Sequence, residues 1–117
     1  MVVCTVSDVV VGAVPISDIK IQEIQTQYVS APGTWSFVST APAGAITTDT
    51  TLGVWLSVKN FGTAAGTPTV SITANGVFLL NTSPGVSISA GGTYIWAVNI
   101  GKLPVGTYDI CGDVISQ

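Results

Sequence analysis

Hydrophobic and polar side chains alternate along most of this chain, most clearly at 52–60, LGVWLSVKN. Every second residue from Leu52 to Val58 is aliphatic, while the residues between them are of mixed type. A period of two is the pattern of a β-strand with one buried face. The run ends in the turn cluster Asn60-Phe61-Gly62, and we predict that it is a central strand of a two-layer β fold.

Short runs of the same kind, separated by turn residues, occupy the rest of the chain. We predict strands at 2–11, 18–29, 34–40, 52–60, 68–74, 77–80, 86–89, 93–100 and 106–115. Strands this short and closely spaced indicate a sandwich or barrel and not a helical class. The predicted fold is all-β: an immunoglobulin-like antiparallel β-sandwich of about seven to nine strands. We expect it to form a single domain over residues 1–117.

Two local signals refine this prediction. In 18–29 the hydrophobic parity changes, which predicts a β-bulge near Gln22 and Glu23. A short amphipathic helix is the alternative, because the apolar residues also fit a spacing of three and four. Asn75 and Gly76 both tolerate positive φ, so we predict a type I′ turn that joins the flanking runs as a hairpin.

Few side chains are charged. Charged residues make up 8% of the chain, far below the roughly 25% of an average protein, and apolar residues reach 47%. The net charge is −3 and the three lysines, Lys20, Lys59 and Lys102, are scattered, so we expect no nucleic-acid partner. No apolar run is long enough for a membrane span. A neutral surface rich in hydroxyl groups favours self-association.

The chain carries little catalytic equipment. It has no histidine, the commonest general base, and its two cysteines are too far apart in sequence for a zinc motif. Asp109 and Asp113 lie four residues apart on one strand, about 13 Å at 3.3 Å per residue. Neither carboxylate could polarise the other over that distance. We therefore expect no enzyme activity, no cofactor and no metal.

The two cysteines, Cys4 and Cys111, lie near opposite ends of the chain. In an immunoglobulin-like sandwich the first and last strands are commonly neighbours, so we predict a disulfide between them. By the chain-entropy model, closing a loop of roughly a hundred residues contributes about 4 to 5 kcal/mol. The alternative is two free thiols.

Three aromatic side chains, Trp55, Trp35 and Phe61, are candidates for an interface or a ligand contact. Trp55 lies opposite the aliphatic face of its own strand, so it faces solvent, packs at an interface or lies under the N-terminal segment. Exposed indole rings could also stack on sugar rings. Asn81-Thr82-Ser83 is a sequon in a predicted turn, which makes Asn81 a candidate for N-glycosylation.

Several short motifs follow one another in the second half of the chain. They are Val58-Lys59-Asn60-Phe61-Gly62-Thr63, Asn75-Gly76, Val86-Ser87-Ile88-Ser89-Ala90-Gly91 before an aromatic strand, and Pro104-Val105-Gly106-Thr107-Tyr108 before the last strand. Over residues 52–114 the chain resembles the CARDB family of immunoglobulin-like domains. The resemblance implies a seven-stranded extracellular sandwich, used in surface and adhesion proteins as a spacer or binding module.

These features predict a non-enzymatic structural protein of an exterior assembly, such as a virion capsid or turret, a filament or a surface layer. Its partners would be copies of itself or other structural proteins, at an extracellular location, the cell surface or the virion surface. The β-branched segment 2–11 either joins its own sheet or adds to the sheet edge of a neighbour. The alternative function is an extracellular adhesion or carbohydrate-binding module with glycans as partners.

Overall fold

The computed structural model describes Val3 and residues 14–117. Except for Val3, the predicted strand at 2–11 therefore lies outside the described residues. The regular elements of the described residues are strands and one short 3₁₀ turn, Val38–Thr40. The strands are β1 (Ile19–Ala31), β2 (Thr34–Phe37), β3 (Leu52–Asn60), β4 (Thr69–Ala74), β5 (Val77–Thr82), β6 (Thr93–Gly101) and β7 (Ile110–Ser116).

The seven strands form two antiparallel sheets. The larger sheet has the order β2-β1-β3-β6, and the smaller has the order β5-β4-β7. The chain passes from one sheet to the other after β3, after β5 and after β6, so each sheet combines strands that are distant in sequence. This architecture confirms the predicted all-β, immunoglobulin-like sandwich, with β3 inside the larger sheet as expected.

The core lies where β3 faces β4. Val54 and Leu56 on β3, and Val70 and Ile72 on β4, are fully buried and form one cluster. Burying a side chain of this size contributes about 1.5–3 kcal/mol. The alternation that predicted these two strands from the sequence thus also identified the centre of the core.

β1 contains the predicted bulge. Its register with β3 shifts between Ile21 and Glu23, and the helical alternative for this segment is wrong. The shift allows Ile21 and Ile24, which have opposite parity, both to pack against the core. The bulge therefore explains why the hydrophobic pattern of this run looks irregular.

The β4–β5 hairpin also has the predicted turn. Asn75 has φ 50° and Gly76 has φ 79°, and Ala74 pairs with Val77 on either side. Positive φ at both central positions is the type I′ geometry that matches the twist of the two strands.

The prediction places the turn after β5 at 81–85, which is two residues too early. β5 continues through Asn81 to Thr82, which pairs with Val70 of β4. The Thr82 hydroxyl also accepts a hydrogen bond from Trp96 Nε1 at 3.0 Å, so this strand end is held to the other sheet. Asn81 is therefore a strand residue.

The edge strands of the larger sheet refine two further predictions. The strand expected at 34–40 ends at Phe37, where the chain enters the 3₁₀ turn and Thr40 Oγ1 donates to Phe37 O at 2.9 Å. The run 93–100, whose alternation also predicts a core strand, forms β6 at the sheet edge, where Trp96, Val98 and Ile100 pack against the core. Trp96 is only half-buried and Tyr94 is 37% exposed, because one side of an edge strand has no neighbour to cover it.

Two predicted strand segments have other structures. Run 86–89 makes a single bridge, through Ile88. Residues 106–109 are not in a strand, since the Asn75 side chain takes the place of a strand partner. Its Nδ2 donates to Thr107 O at 2.9 Å, and its Oδ1 accepts from the Asp109 N–H at 2.7 Å.

A buried amide fixes the end of β3. Asn60 is fully buried, and its Oδ1 accepts hydrogen bonds from the N–H groups of Asp18 (3.1 Å) and Gly62 (2.9 Å). Its Nδ2 donates to the carbonyls of Ala64 (2.8 Å) and Ile88 (3.0 Å). One side chain thus joins the start of β1, the turn after β3 and the loop before β6.

Candidate functional site

Two of the three predicted aromatic residues lie together on the outer face of the larger sheet. Trp35 on β2 and Trp55 on β3 are joined there by Phe37, whose ring meets that of Trp55 edge-on, with centroids 6.0 Å apart at 88°. Trp35 is 41% and Phe37 38% exposed, and Trp55 is half-buried. We call these three residues the aromatic face. Phe37 was not predicted as part of a site, although its spacing of two from Trp35 was a usable signal.

A glycine shapes one side of the aromatic face. The Trp35 ring reaches across β1 to Gly53 on β3, where a Cβ atom would lie 2.8 Å from Cζ3 of the ring. Glycine therefore lets the indole lie against the sheet. Beside the ring is a shallow cleft of about 200 Å³, which also includes the side-chain amides of Gln27 and Asn99. An aromatic wall next to amide groups is a surface that could hold a sugar ring.

Phe61, the third predicted aromatic, lies elsewhere. It follows the end of β3, is 53% exposed, and has the ammonium groups of Lys20 and Lys59 at 5.7 and 5.2 Å from its ring centre. Lys20 also forms a 3.6 Å ion pair with Asp18. These distances fit cation–π contacts, so Phe61 organises two of the three lysines of the chain and is not part of the aromatic face.

Cys111 lies exposed on the outward face of β7, while its predicted partner, Cys4, lies outside the described residues. Partial desolvation raises the pKa of the Cys111 thiol, and the charge and hydrogen bonding of Asp109 raise it further. A raised pKa keeps the sulfur protonated near neutral pH, which disfavours a role as a nucleophile. The disulfide stays a prediction.

Asn81, the predicted glycosylation site, is exposed on β5. Asn81 lies in a strand and not in the predicted turn, but its side chain still faces solvent. Modification of this residue stays a prediction.

The outer edge of β6 is an unusual surface. Its nine residues include no charge and no proline, and none of the described strands pairs with this edge. The hydrogen bond from Asn60 N–H to Gly92 O shows which residues of β6 direct their backbone groups toward β3 and which direct them away from it. By the alternation of an antiparallel pair, Ile95 and Ala97 then turn their backbone N–H and C=O groups outward. Exposed strand edges usually carry lysine, proline or a bulge that prevents pairing; β6 has no lysine or proline, and its bulge, at Ile100, lies at the end of the strand.

The smaller sheet has an equally unpartnered edge at β7. Within the described residues β7 pairs only with β4. Two clefts lie along its other side, the lower one lined by Ile21, Gly112 and Val114 and the upper one by Ile110, and all four residues are only half-buried. At the lower end Gln117 Oε1 accepts a hydrogen bond from Ile19 N–H at 2.6 Å. We call the two clefts together the β7 groove. The opposite side of the sandwich is closed by the hydrogen bond between Trp96 and Thr82.

The described residues contain no group of three histidine, cysteine or acidic side chains that could hold a metal ion. In the same part of the chain, no helix has the length and hydropathy that a membrane crossing requires.

No protein-family model, curated protein sequence or solved structure matches this chain. The surfaces described above therefore have to be interpreted from their own geometry and chemistry.

Proposed function

We propose that this protein is a non-enzymatic structural subunit that associates with copies of itself in an exterior assembly. The assembly would be a virion capsid or turret, a filament or a surface layer, located outside the cell, on its surface or on a virion. The observation that carries the proposal is that both sheets end, among the described residues, in strand edges without a partner. Such edges are templates for pairing with another chain.

The character of these edges supports association. β6 offers nine residues without a charge, and beside it Ile95 is 52% exposed. Pairing with another strand would satisfy the outward N–H and C=O groups and cover this apolar side chain. With charged residues at 8% of the chain, there is little electrostatic repulsion to keep copies apart.

The composition and the sequence resemblance support the exterior location. The CARDB-like motifs at 52–114 suggest an extracellular sandwich, and a Cys4–Cys111 disulfide would be typical of an oxidising exterior, although thermophiles also form disulfides inside the cell. Asn60 of the Asn-x-Gly motif is the buried amide that fixes the end of β3, which gives that motif a structural role in this chain.

Light scattering and negative-stain imaging of the full chain test the proposal. We expect species well above the 11.9 kDa monomer at high concentration, as filaments or shells. Ile95→Lys places a charge on the β6 edge and should reduce the size of these species. Val105→Lys adds the same charge at a loop residue that is 91% exposed and should leave them unchanged. A monodisperse monomer of the wild-type chain at high concentration would refute the proposal.

A second candidate function is carbohydrate binding by an adhesion module. The cleft beside Trp35 favours it, because an indole face and the amides of Gln27 and Asn99 surround about 200 Å³. Titration of a glycan panel, followed by tryptophan fluorescence, should give a saturable shift that Trp35→Ala removes and Phe61→Ala retains. The same response in both variants, or no response to any glycan, would contradict this function.

A further inference from the structure

The hydrogen-bonding phase of β7 shows which of its backbone groups face away from β4. Asn75 N–H donates to Asp109 O at 3.0 Å, one position before β7 begins. In an antiparallel pair, residues that exchange hydrogen bonds alternate with residues that do not. Cys111 and Asp113 therefore turn their backbone groups toward β4. The residues with N–H and C=O groups on the other side are Ile110, Gly112 and Val114.

The side chains of those same residues line the β7 groove. Gly112 lies beneath β1, where a Cβ atom would be 3.0 Å from Cδ1 of Ile21 and 3.3 Å from Cδ1 of Ile24. The lower part of the groove, beside Val114, has a volume of about 350 Å³. The upper part, beside Ile110, has about 160 Å³. An added strand would thus find free backbone partners and an uncovered stretch of core at one place.

The described residues that precede β1 do not cover the groove. Val3 is 82% exposed, and Val14 and Ile16, which precede β1, are 79% and 62% exposed. A valine packed into the groove would be largely buried. Among the described residues none covers the groove, so a segment of another molecule has room to add there, and residues 2–11 are the candidate.

We propose that the segment 2–11 of a second copy adds to β7 as an antiparallel strand, with Cys4 opposite Cys111, so that residues 2–5 cover the part of the β7 groove beside Ile110 and Gly112. This inference rests on the proposed function, since it names the contact through which copies associate. In this register residues 2–5 lie opposite residues 113–110 of β7, about 13 Å of strand at 3.3 Å per residue, and residues 6–11 continue past the start of β7 beside residues 109–104. Its sequence, VVCTVSDVVV, is rich in the β-branched residues that favour strands.

The side-chain parity of the segment supports this register. When Cys4 faces the same side as the exposed Cys111, Asp8 has the same parity and also faces solvent. Val3, Thr5, Ser7, Val9 and Val11 have the opposite parity, so Val3 and Thr5 turn toward the groove beside Gly112 and Ile110. The register that places the two sulfurs together is therefore also the one that keeps the only charge of the segment out of the core.

The backbone geometry suits a bond between the two cysteines. Because Ile110 and Gly112 would exchange hydrogen bonds with the added strand, Cys111 and Cys4 would form a non-hydrogen-bonded pair. The Cα atoms of such a pair are about 4.5 Å apart, within the range of disulfide bonds. Thiol cross-linking can therefore report the contact and its register.

Mixing two full-length variants tests the contact between molecules. The Cys4→Ser chain keeps Cys111 and the Cys111→Ser chain keeps Cys4, so a Cys4–Cys111 bond can form only between two chains. Oxidised glutathione serves as the oxidant. Its S–S bond breaks to give two glutathione thiols, which take up the two electrons and the two protons that Cys4 and Cys111 lose.

We expect the mixture to form several-fold more reducible dimer than either variant alone, with a linked peptide pair that contains Cys4 and Cys111. Moving the thiol by one residue, with Cys4→Ser combined with Thr5→Cys, should abolish this link when that chain also carries Cys111→Ser. No dimer in the mixture, equal dimer in each variant alone, or equal linking from position 5 would overturn the proposal. An internally bridged wild-type monomer as the sole product would overturn it too.

A non-covalent readout uses the parity of the segment. Val3→Lys places a charge in the groove opposite Gly112 and should lower the assembled mass in light scattering. Val2→Lys points outward, opposite Asp113, and should leave the mass unchanged. Equal effects of the two variants would overturn the strand addition. If the wild-type chain associates while these tests fail, the assembly function stands with a different contact; if it stays monomeric, both proposals fall.

Discussion

Replacing Asn60 by alanine should destabilise the sandwich more than any surface substitution. The change removes four hydrogen bonds at once, at 2.8 to 3.1 Å, from a side chain with no solvent exposure. Of the four backbone groups involved, Ile88 O keeps a second donor, the Gly66 N–H at 3.1 Å. The other three, Asp18 N–H, Gly62 N–H and Ala64 C=O, lose the partner that the amide provides.

The expected magnitude follows from those three groups. A polar group left without a partner costs about 1–3 kcal/mol, and the lower half applies here because Asp18, Gly62 and Ala64 are not deeply buried. The three unpaired groups and the lost packing of the amide together should lower the free energy of unfolding of Asn60→Ala by about 3–5 kcal/mol. At about 4 °C per kcal/mol for a domain of this size, the melting temperature should fall by about 12–20 °C.

Chemical unfolding in dilute solution, followed by tryptophan fluorescence and circular dichroism, measures this loss. Asn81→Ala is the matched control, because Asn81 is an exposed asparagine on β5, and its effect should stay within about 0.5 kcal/mol. Asn60→Asp keeps the size but turns a carboxylate oxygen toward the carbonyls of Ala64 and Ile88, so it should destabilise at least as strongly. A loss below about 1 kcal/mol in Asn60→Ala would refute the reasoning.

Three further predictions concern other parts of the chain. Gly62→Ala should be severely destabilising in thermal melts, because its Cβ would overlap Ile16 O; a normal melting temperature would contradict the close backbone approach. Ile72→Ala should cost about 2–5 kcal/mol in denaturant unfolding, since a fully buried side chain leaves a cavity, and a loss under about 1 kcal/mol would disprove its central place. Because the pKa of Cys111 is raised, by partial desolvation and then by Asp109, its thiolate fraction is reduced. Iodoacetamide should therefore alkylate the Cys4→Ser chain more slowly than free cysteine near pH 8, with the rate rising at higher pH, and an equal or faster rate would refute the shift.

The parts of the fold that follow from local pattern were predictable. The alternation at 52–60 identified β3 with its correct bounds, and Asn75-Gly76 identified the hairpin turn. The parity change near Glu23 located the bulge in β1. Each of these features depends on side-chain period or backbone preference, which a single sequence contains.

Features that depend on which strands become neighbours were not predictable. The alternation at 93–100 identified the core-facing side of β6 but not its place at the sheet edge, because parity specifies a face of a strand and not its position in a sheet. Asn81 was expected in a turn, since its strand is extended by contacts with Val70 and Trp96 that are distant in sequence. The β7 groove arises from strand order alone, so no motif in the sequence marks it.

Trp55 and Trp35 lie together on the outer face of the larger sheet, while Phe61 was grouped with them only by residue type. Its lysine contacts arise because β1 and β3 run side by side, which brings Lys20 and Lys59 to one ring. Lys20 and Lys59 are directly paired in the β1–β3 register. This pairing would have predicted their shared contact with Phe61, but the sequence alone does not give the register.

The way the chain enters β1 has a mechanical consequence. Ahead of this strand, Ile16 O accepts from the N–H groups of Thr63 (2.8 Å) and Ala64 (3.0 Å), and Asp18 O accepts from Phe61 N–H at 2.7 Å. The Asp18 N–H is also held by Asn60. Tension applied through the N-terminal end would therefore load several hydrogen bonds together before it reached the first strand. A subunit pulled from that end should resist extension by shearing, and not by peeling one bond at a time.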